Sequence, residues 1–387
     1  MLRSPGTDRQ FQTDSVNCFL FIFVTCHAWL FTYYCLLIYN SFLRNNCCAF
    51  SALSFTCYLH ESLSFIFHSQ MQPASILEAF LLSATQTREW TKISFVCCGL
   101  QQVRDWYVAS FKDLRNFPDI QTIDDEKRFT GLITRVKARH NEVMPTMAMG
   151  IQELKEDLGR KVGLNELPEI HDFLDRFYMS RIGIRMLIGQ HVALHNTPPN
   201  PGYIGLICKN VSPVVVAQNA IDDARSACMR TYGSAPEVHV YGDPNFSFAY
   251  VPTHLHQMLF ELVKNSLRAV QERFEDATHE PPPIRIVVAD GIEDVTIKIS
   301  DEGGGIPRSG LQKIWTYLYS TAKNPVILGR EDHEMPNVMA GYGYGLPISR
   351  LYARYFGGDL QVISMEGYGT DAYLHLNRLG NVDEPLA

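Results

Sequence analysis

Four short runs in the C-terminal half of the chain hold residue types whose spacing could do chemistry. The first is Glu261-Leu-Val-Lys-Asn265-Ser-Leu-Arg268. Helical spacing of i, i+4 and i+7 puts Glu261, Asn265 and Arg268 on one face. A carboxylate one turn from an amide can act as a general base beside an oxygen ligand for Mg2+, an ion held by few protein ligands together with phosphates and waters. The same spacing also fits an ordinary polar network on a helix surface. The second run, Asp301-Glu-Gly303-Gly304-Gly305-Ile-Pro307, follows an apolar strand. A carboxylate there can accept a hydrogen bond from an exocyclic amine, and the glycines let a flat base approach the backbone. A plain glycine-rich turn would read the same way.

The third run is Gly341-Tyr-Gly343-Tyr-Gly345-Leu346-Pro347, a glycine repeat that opens a helix. Pro347 is tolerated in a first turn, and the free N–H groups and dipole of a helix start favour phosphate. The spacing is neither that of a P-loop nor that of the dinucleotide fingerprint. The fourth, Gly367-Tyr-Gly369-Thr370, supplies a hydroxyl close to where a base would lie. Each run alone is weak; the four in this order are a strong signal for a nucleotide site.

The elements that must position these runs follow from periodicity. Residues 101–200 read as a helical domain. It has helices from about Val103, after a cap at Asp124 and Asp125, over about Pro145–Asp157 and over about Leu167–His195. They form a four-helix-type bundle that stops at Thr197-Pro-Pro-Asn-Pro-Gly202. Residues 210–380 alternate differently. Helices are expected at Pro213 to Tyr232, Thr253 to Phe274 and Leu346 to Tyr355. Strands are expected at Glu237–Tyr241, Ile284–Val288, Asp294–Ile299, Leu360–Ser364 and Thr370–Leu376. The fold class is therefore α+β, a helical bundle followed by a two-layer α/β sandwich.

In order, the four runs resemble the nucleotide-binding boxes shared by gyrase-type ATPases, heat-shock chaperones, histidine kinases and the mitochondrial 2-oxoacid dehydrogenase kinases. Arg176-Phe-Tyr-Met-Ser-Arg181-Ile-Gly-Ile-Arg-Met-Leu-Ile, Tyr319-Ser320-Thr321-Ala and Gly345-Leu-Pro-Ile-Ser-Arg-Leu-Tyr-Ala-Arg-Tyr-Phe-Gly-Gly-Asp359 are similar to the pyruvate dehydrogenase kinases, most of all the plant form. The resemblance covers roughly residues 101–385. It implies an ATP-dependent protein-serine kinase of the mitochondrial matrix, using Mg2+, that inactivates the dehydrogenase component of the pyruvate dehydrogenase complex.

Residue by residue, the resemblance makes Glu261 the base for the substrate serine and Asn265 the Mg2+ ligand, with Arg268 beside them on the nucleotide. Asp301 binds the adenine amino group with Gly303, Gly305 and Thr370. Ser320 and Thr321 begin a lid over Ala322 to Ala340, and Gly341, Gly343, Gly345 and Leu346 cradle the phosphates. His140 and Arg181 match a regulatory pocket for a 2-oxoacid carboxylate. A homodimer is implied too, as is binding to the lipoyl domain of the acetyltransferase component. That last grip is expected to be weakened, because residues 1–100 do not show the family's N-terminal helices. A histidine common in the family one turn before the glutamate is here Gln257; His254 and His256 point elsewhere on the helix.

The whole-chain numbers fit an ordinary globular protein: 46% hydrophobic and a net charge of −7 over 387 residues. A mildly acidic chain has no electrostatic reason to seek nucleic acid. Eight of ten cysteines precede residue 100, and the remainder reads as a protein of a reducing compartment. No charge occurs between Asp14 and Arg44, and about 18–39 is long enough to span a bilayer. A membrane anchor, a buried helix or a wrongly joined exon fits that segment; a clear transit peptide does not. Three other functions stay open from residues alone: a histidine kinase with His140 as acceptor, a non-kinase ATPase switch, and a catalytically silent subunit.

Overall fold

A computed structural model describes residues 98–158, 168–195, 201–277, 279–320 and 343–379. The apolar segment at about 18–39, Thr321, Gly341 and the expected lid from Ala322 to Ala340 lie outside the described residues. Among those described, no helix is long and apolar enough to cross a membrane. The chain divides into two compact units, a first that includes the residues up to Asn141 and a second spanning Glu142–Leu379.

In the first unit, α1 (Cys98–Arg115) and α2 (Ile123–Arg139) are amphipathic. Helix α2 is capped by Thr122, two residues before the expected cap. The Thr122 hydroxyl accepts from the Asp125 N–H while the Asp125 carboxylate accepts from the Thr122 N–H, a reciprocal capping box. Asp124, Asp125 and Glu126 then complement the helix dipole, as Lys137 and Arg139 do at the other end. Leu132, Ile133 and Val136 form its buried stripe.

The second unit opens with α3 (Val143–Leu158) and α4 (Pro168–His195). Two sheets follow. A small antiparallel one, in the order β1-β2-β4, is built from Tyr203–Ile204, Ile207–Val211 and Phe248–Tyr250. It was not expected from the sequence, because strands this short carry little periodicity. Gln190 of α4 clamps its first turn, donating to the Ile204 carbonyl (2.9 Å) and accepting from the Leu206 N–H (2.8 Å). The main sheet has the order β3-β5-β6-β8-β7, from Val238–Tyr241, Ile284–Asp290, Asp294–Asp301, Gly369–Asn377 and Asp359–Met365. Only β3 and β5 run parallel.

Helices α5 (Pro213–Tyr232), α6 (Pro252–Arg273) and α8 (Gly345–Tyr355) accompany this sheet, and a short α7 (Arg308–Leu311) lies before α8. Helix α5 has its Ser212 hydroxyl on the Val215 N–H at one end and Gly233 in the left-handed region at the other. Leu255, Met258, Leu259, Leu262, Val263, Leu267 and Val270 of α6 recur at three- and four-residue intervals and pack into the core with the inward residues of the sheet. In β6 the inward positions are Val295, Ile297, Ile299 and Asp301. Asp301 is therefore buried because it is in phase with three apolar residues.

Candidate active site

Helix α6 holds one wall of the site. Its Glu261, Asn265 and Arg268 all line a single cleft of about 450 Å3, together with Asp301, Gly303, Gly305, Ser320, Gly343, Gly345, Leu346 and Thr370. The four runs thus meet at one place, although up to 109 positions separate their members in the sequence. Thr321 and Gly341 lie outside the described residues.

At one end of the cleft, Asp301 is 8% exposed. Its two oxygens accept from the Ser266 hydroxyl (2.9 Å) and the Gly303 N–H (2.9 Å). Burial raises its pKa, and these two hydrogen bonds oppose the rise by favouring the carboxylate. Thr370 is its cross-strand partner on β8. The Thr370 hydroxyl meets the Ser364 hydroxyl at 2.9 Å, and Ser364 accepts from the Ile306 N–H at 2.7 Å. That chain of bonds fixes the glycine loop against β7. Gly305 has φ +70, and a Cβ there would run into the Met365 carbonyl oxygen, so only glycine fits.

At the other end, α8 begins at Gly345, and Gly345, Leu346 and Pro347 of its first turn line the cleft. A Cβ on Gly345 would collide with Oε2 of Glu261. The start of α8 and the Glu261 carboxylate are therefore in immediate contact, with no room for a side chain between them. Lys264 is the residue that sequence reasoning missed. Its ammonium lies 2.9 and 3.0 Å from the two Glu261 oxygens, with the Lys264 side chain 7% and the Glu261 side chain 17% exposed. The run Glu-Leu-Val-Lys carried the signal, since i and i+3 adjoin on a helix. Arg268 turns instead toward Glu272 at 3.9 Å.

Neither nearby histidine serves Glu261. Gln257 is exposed and does not line the cleft. His256 pairs with Asp223 of α5 at 3.1 Å. His254 packs on Tyr352 (4.7 Å between ring centroids), and burial pushes its pKa down to about 4.

Helix α4 braces the glycine loop that leads into α8. Tyr344, between the two cradle glycines, packs edge-on against Tyr178 of α4 at 5.7 Å and tilted against Tyr317 at 5.0 Å. The Tyr317 hydroxyl donates to Asp175 of α4. Tyr317 precedes Ser320 by three residues, so one buried aromatic cluster holds both flanks of the cleft mouth.

The two regulatory candidates belong to separate units. In the first, His140 is 4% exposed, with Nε2 at 3.0 Å from the Ser110 hydroxyl and its ring 4.3 Å from that of Tyr107. In the second, Arg181 is 6% exposed on α4. A histidine so enclosed cannot be presented to a separate nucleotide domain, which weighs against its being a phosphoacceptor.

Comparison with known proteins agrees with this geometry. Residues 250–379 match the histidine kinase-, DNA gyrase B- and HSP90-like ATPases, the class of nucleotide-binding protein that the fold and cleft define. Residues 86–208 match the mitochondrial branched-chain alpha-ketoacid dehydrogenase kinase domain. This match begins before residue 101, so the family likeness reaches further toward the N-terminus than the motifs alone indicated.

The chain is 66% identical over 289 residues to the mitochondrial [pyruvate dehydrogenase (acetyl-transferring)] kinase of Arabidopsis thaliana, covering 74% of this chain and 77% of that protein. It is 44% identical over 277 residues to the Schizosaccharomyces pombe kinase of the same name, covering 70% of this chain and 64% of that one. It is 40% identical over 335 residues to human isozyme 4, covering 83% and 78%. The chain belongs to the mitochondrial pyruvate dehydrogenase kinase family, a family of protein kinases that use ATP.

Proposed function

We propose that this protein transfers the γ-phosphoryl group of ATP to a serine of the dehydrogenase component of the pyruvate dehydrogenase complex, and so inactivates it. The observation that carries the reading is the single cleft with Asp301 at one end and Glu261 against the start of α8 at the other. ATP spans these ends, with adenine on Asp301 and Thr370 and the phosphates at Gly343, Gly345 and Leu346. By the same resemblance Gly341 belongs with the phosphate cradle, and Ser320 and Thr321 begin the lid over the nucleotide.

Phosphoryl transfer asks little covalent chemistry of a protein; positioning and charge neutralisation do most of the work. Glu261 takes the proton from the attacking serine hydroxyl. A free carboxylate next to a triphosphate would repel it, and the Lys264 ammonium offsets that repulsion while holding the Glu261 side chain in place. Asn265 and the nucleotide phosphates would hold Mg2+, which would supply further neutralisation of the γ-phosphoryl charge.

The helical segment before residue 200 forms the regulatory domain and residues 210–380 the catalytic one. Arg181 of α4 is assigned to the carboxylate of a 2-oxoacid effector. The working form is a homodimer in the mitochondrial matrix, with a weakened grip on the lipoyl domain.

Incubation with ATP and the dehydrogenase component should give acid-stable phosphoserine on that component, and Glu261→Gln should abolish it while nucleotide still binds. Acid-labile phosphohistidine on the kinase itself, or full transfer by the Gln variant, would falsify the assignment.

A further inference from the structure

Arg273 closes the last turn of α6, outside every motif that defines the nucleotide site, and its guanidinium makes an unusual set of bonds. One nitrogen, Nη1, donates to the Glu302 carbonyl at 2.8 Å and to the Tyr368 carbonyl at 2.6 Å. The other, Nη2, donates to the Gly367 carbonyl at 2.9 Å. These carbonyls belong to two different loops. Glu302 follows Asp301 directly, whereas Gly367 and Tyr368 lead into Gly369 and Thr370.

The two loops are also tied backbone to backbone. The Gly304 N–H donates to Tyr368 at 3.1 Å, and the Gly367 N–H donates to Gly304 at 2.8 Å. Three carbonyl dipoles therefore point at one spot, an arrangement that a cation stabilises and its loss leaves mutually repulsive. Arg273 is not simply seeking a carboxylate. The Glu302 side chain is taken by Arg285 at 2.8 Å, and the adjacent Glu272 is shared by Arg268 and the Tyr232 hydroxyl. A planar fork with several fixed donors can bridge two loops in a way that a single ammonium cannot.

We infer that Arg273 is a positioning residue for the adenine end of the site, locking the loop of Asp301 to the loop of Thr370 so that the base meets both at fixed spacing. This rests on the reading of Asp301 and Thr370 as the adenine contacts. One helix then sets both ends of the nucleotide independently. Arg273 lies twelve residues beyond Glu261 in α6, about 18 Å at helical rise, so it acts on the base and leaves the transferring phosphate alone. Misplacement by a fraction of an ångström suffices to weaken a hydrogen-bonded base without disturbing the chemical step.

The test is Arg273→Met and Arg273→Lys in the full chain, with Asp301→Asn alongside. Arg273→Met should raise the ATP KM about tenfold, the loss expected for roughly one charge-assisted hydrogen-bond equivalent, with kcat changed less than about twofold. ATP-over-GTP selectivity should shrink, and the unfolding midpoint without nucleotide should stay within about 2 °C. Arg273→Lys should recover part of the KM.

An unchanged KM and selectivity in Arg273→Met would overturn the inference. So would a fall in kcat equal to the rise in KM together with a lowered midpoint, which is the signature of a plain structural brace. If Asp301→Asn weakens ATP binding while Arg273→Met does not, only the role of Arg273 fails. If Asp301→Asn binds ATP normally, the adenine assignment itself fails and the inference with it.

Discussion

Glu261 and Lys264 are an enclosed pair, and enclosure decides what either substitution does. Removing one partner strands a desolvated charge, which costs about 3–5 kcal/mol, whereas removing both can be nearly neutral. Lys264→Met should therefore lower the unfolding midpoint sharply, and adding Glu261→Gln should restore much of it. A double-mutant cycle by thermal unfolding reads this coupling directly; additive losses would show that the pair is not an energetic unit.

His254 makes a second prediction at the same scale. Burial against Tyr352 and Phe356 holds its pKa at about 4, below the ordinary histidine value of about 6.5. As pH falls below that ordinary value, the unfolded chain binds a proton that the folded chain does not, so stability is present above the unfolded pKa and lost toward the folded one. The unfolding midpoint should drop as pH is lowered from about 6.5 to about 4. His254→Leu should flatten that slope by close to one proton, and an unaltered slope would contradict the burial argument.

Among the elements, α6 is the organising one, since a single helix brings Glu261, Asn265, the Asp301 hydrogen-bond donor Ser266 and Arg273 to the cleft. Helix α4 has a supporting part that its sequence does not announce. Asp175 is half-buried and its pKa is raised by burial, with the Tyr317 hydroxyl pulling the other way. Tyr317→Phe removes that donor and leaves the carboxyl unsatisfied, which costs about 1–3 kcal/mol. The cluster with Tyr178 and Tyr344 flanks the cradle glycines, so the same variant should also raise the ATP KM. A stability loss with an unchanged KM would confine the cluster to a packing role.

At the scale of the molecule, the second unit contains the whole described nucleotide cleft, and ligand binding should be visible in its unfolding. A ligand present at a hundred times its Kd stabilises the folded state by about 2.7 kcal/mol. ATP with Mg2+ should therefore raise the unfolding midpoint of the intact chain, and Asp301→Asn should remove most of the rise. Calorimetry with and without nucleotide checks this, and an equal rise in the Asn variant would place the nucleotide elsewhere.

Local patterns determined a good deal without any tertiary structure. Helix α5 was legible end to end, because Ser212, Pro213 and Gly233 are start and stop signals that act within a few residues. The shared face of Glu261, Asn265 and Arg268 was legible because helical spacing is a property of the segment itself. The order of the four runs carried the ATP-binding class, and the longer matches beginning at Arg176, Tyr319 and Gly345 carried the family.

What only the tertiary structure decided depends on residues far apart in sequence or on burial. The Arg273 bonds reach carbonyls 94 and 95 positions away. The Asp175–Tyr317 bond spans 142 positions. Lys264 was visible next to Glu261, but periodicity cannot say that both would be enclosed beside the start of α8. Side-chain spacing is encoded along the chain, whereas exclusion of water and convergence of carbonyls arise only when the sheet, α6 and α8 pack together.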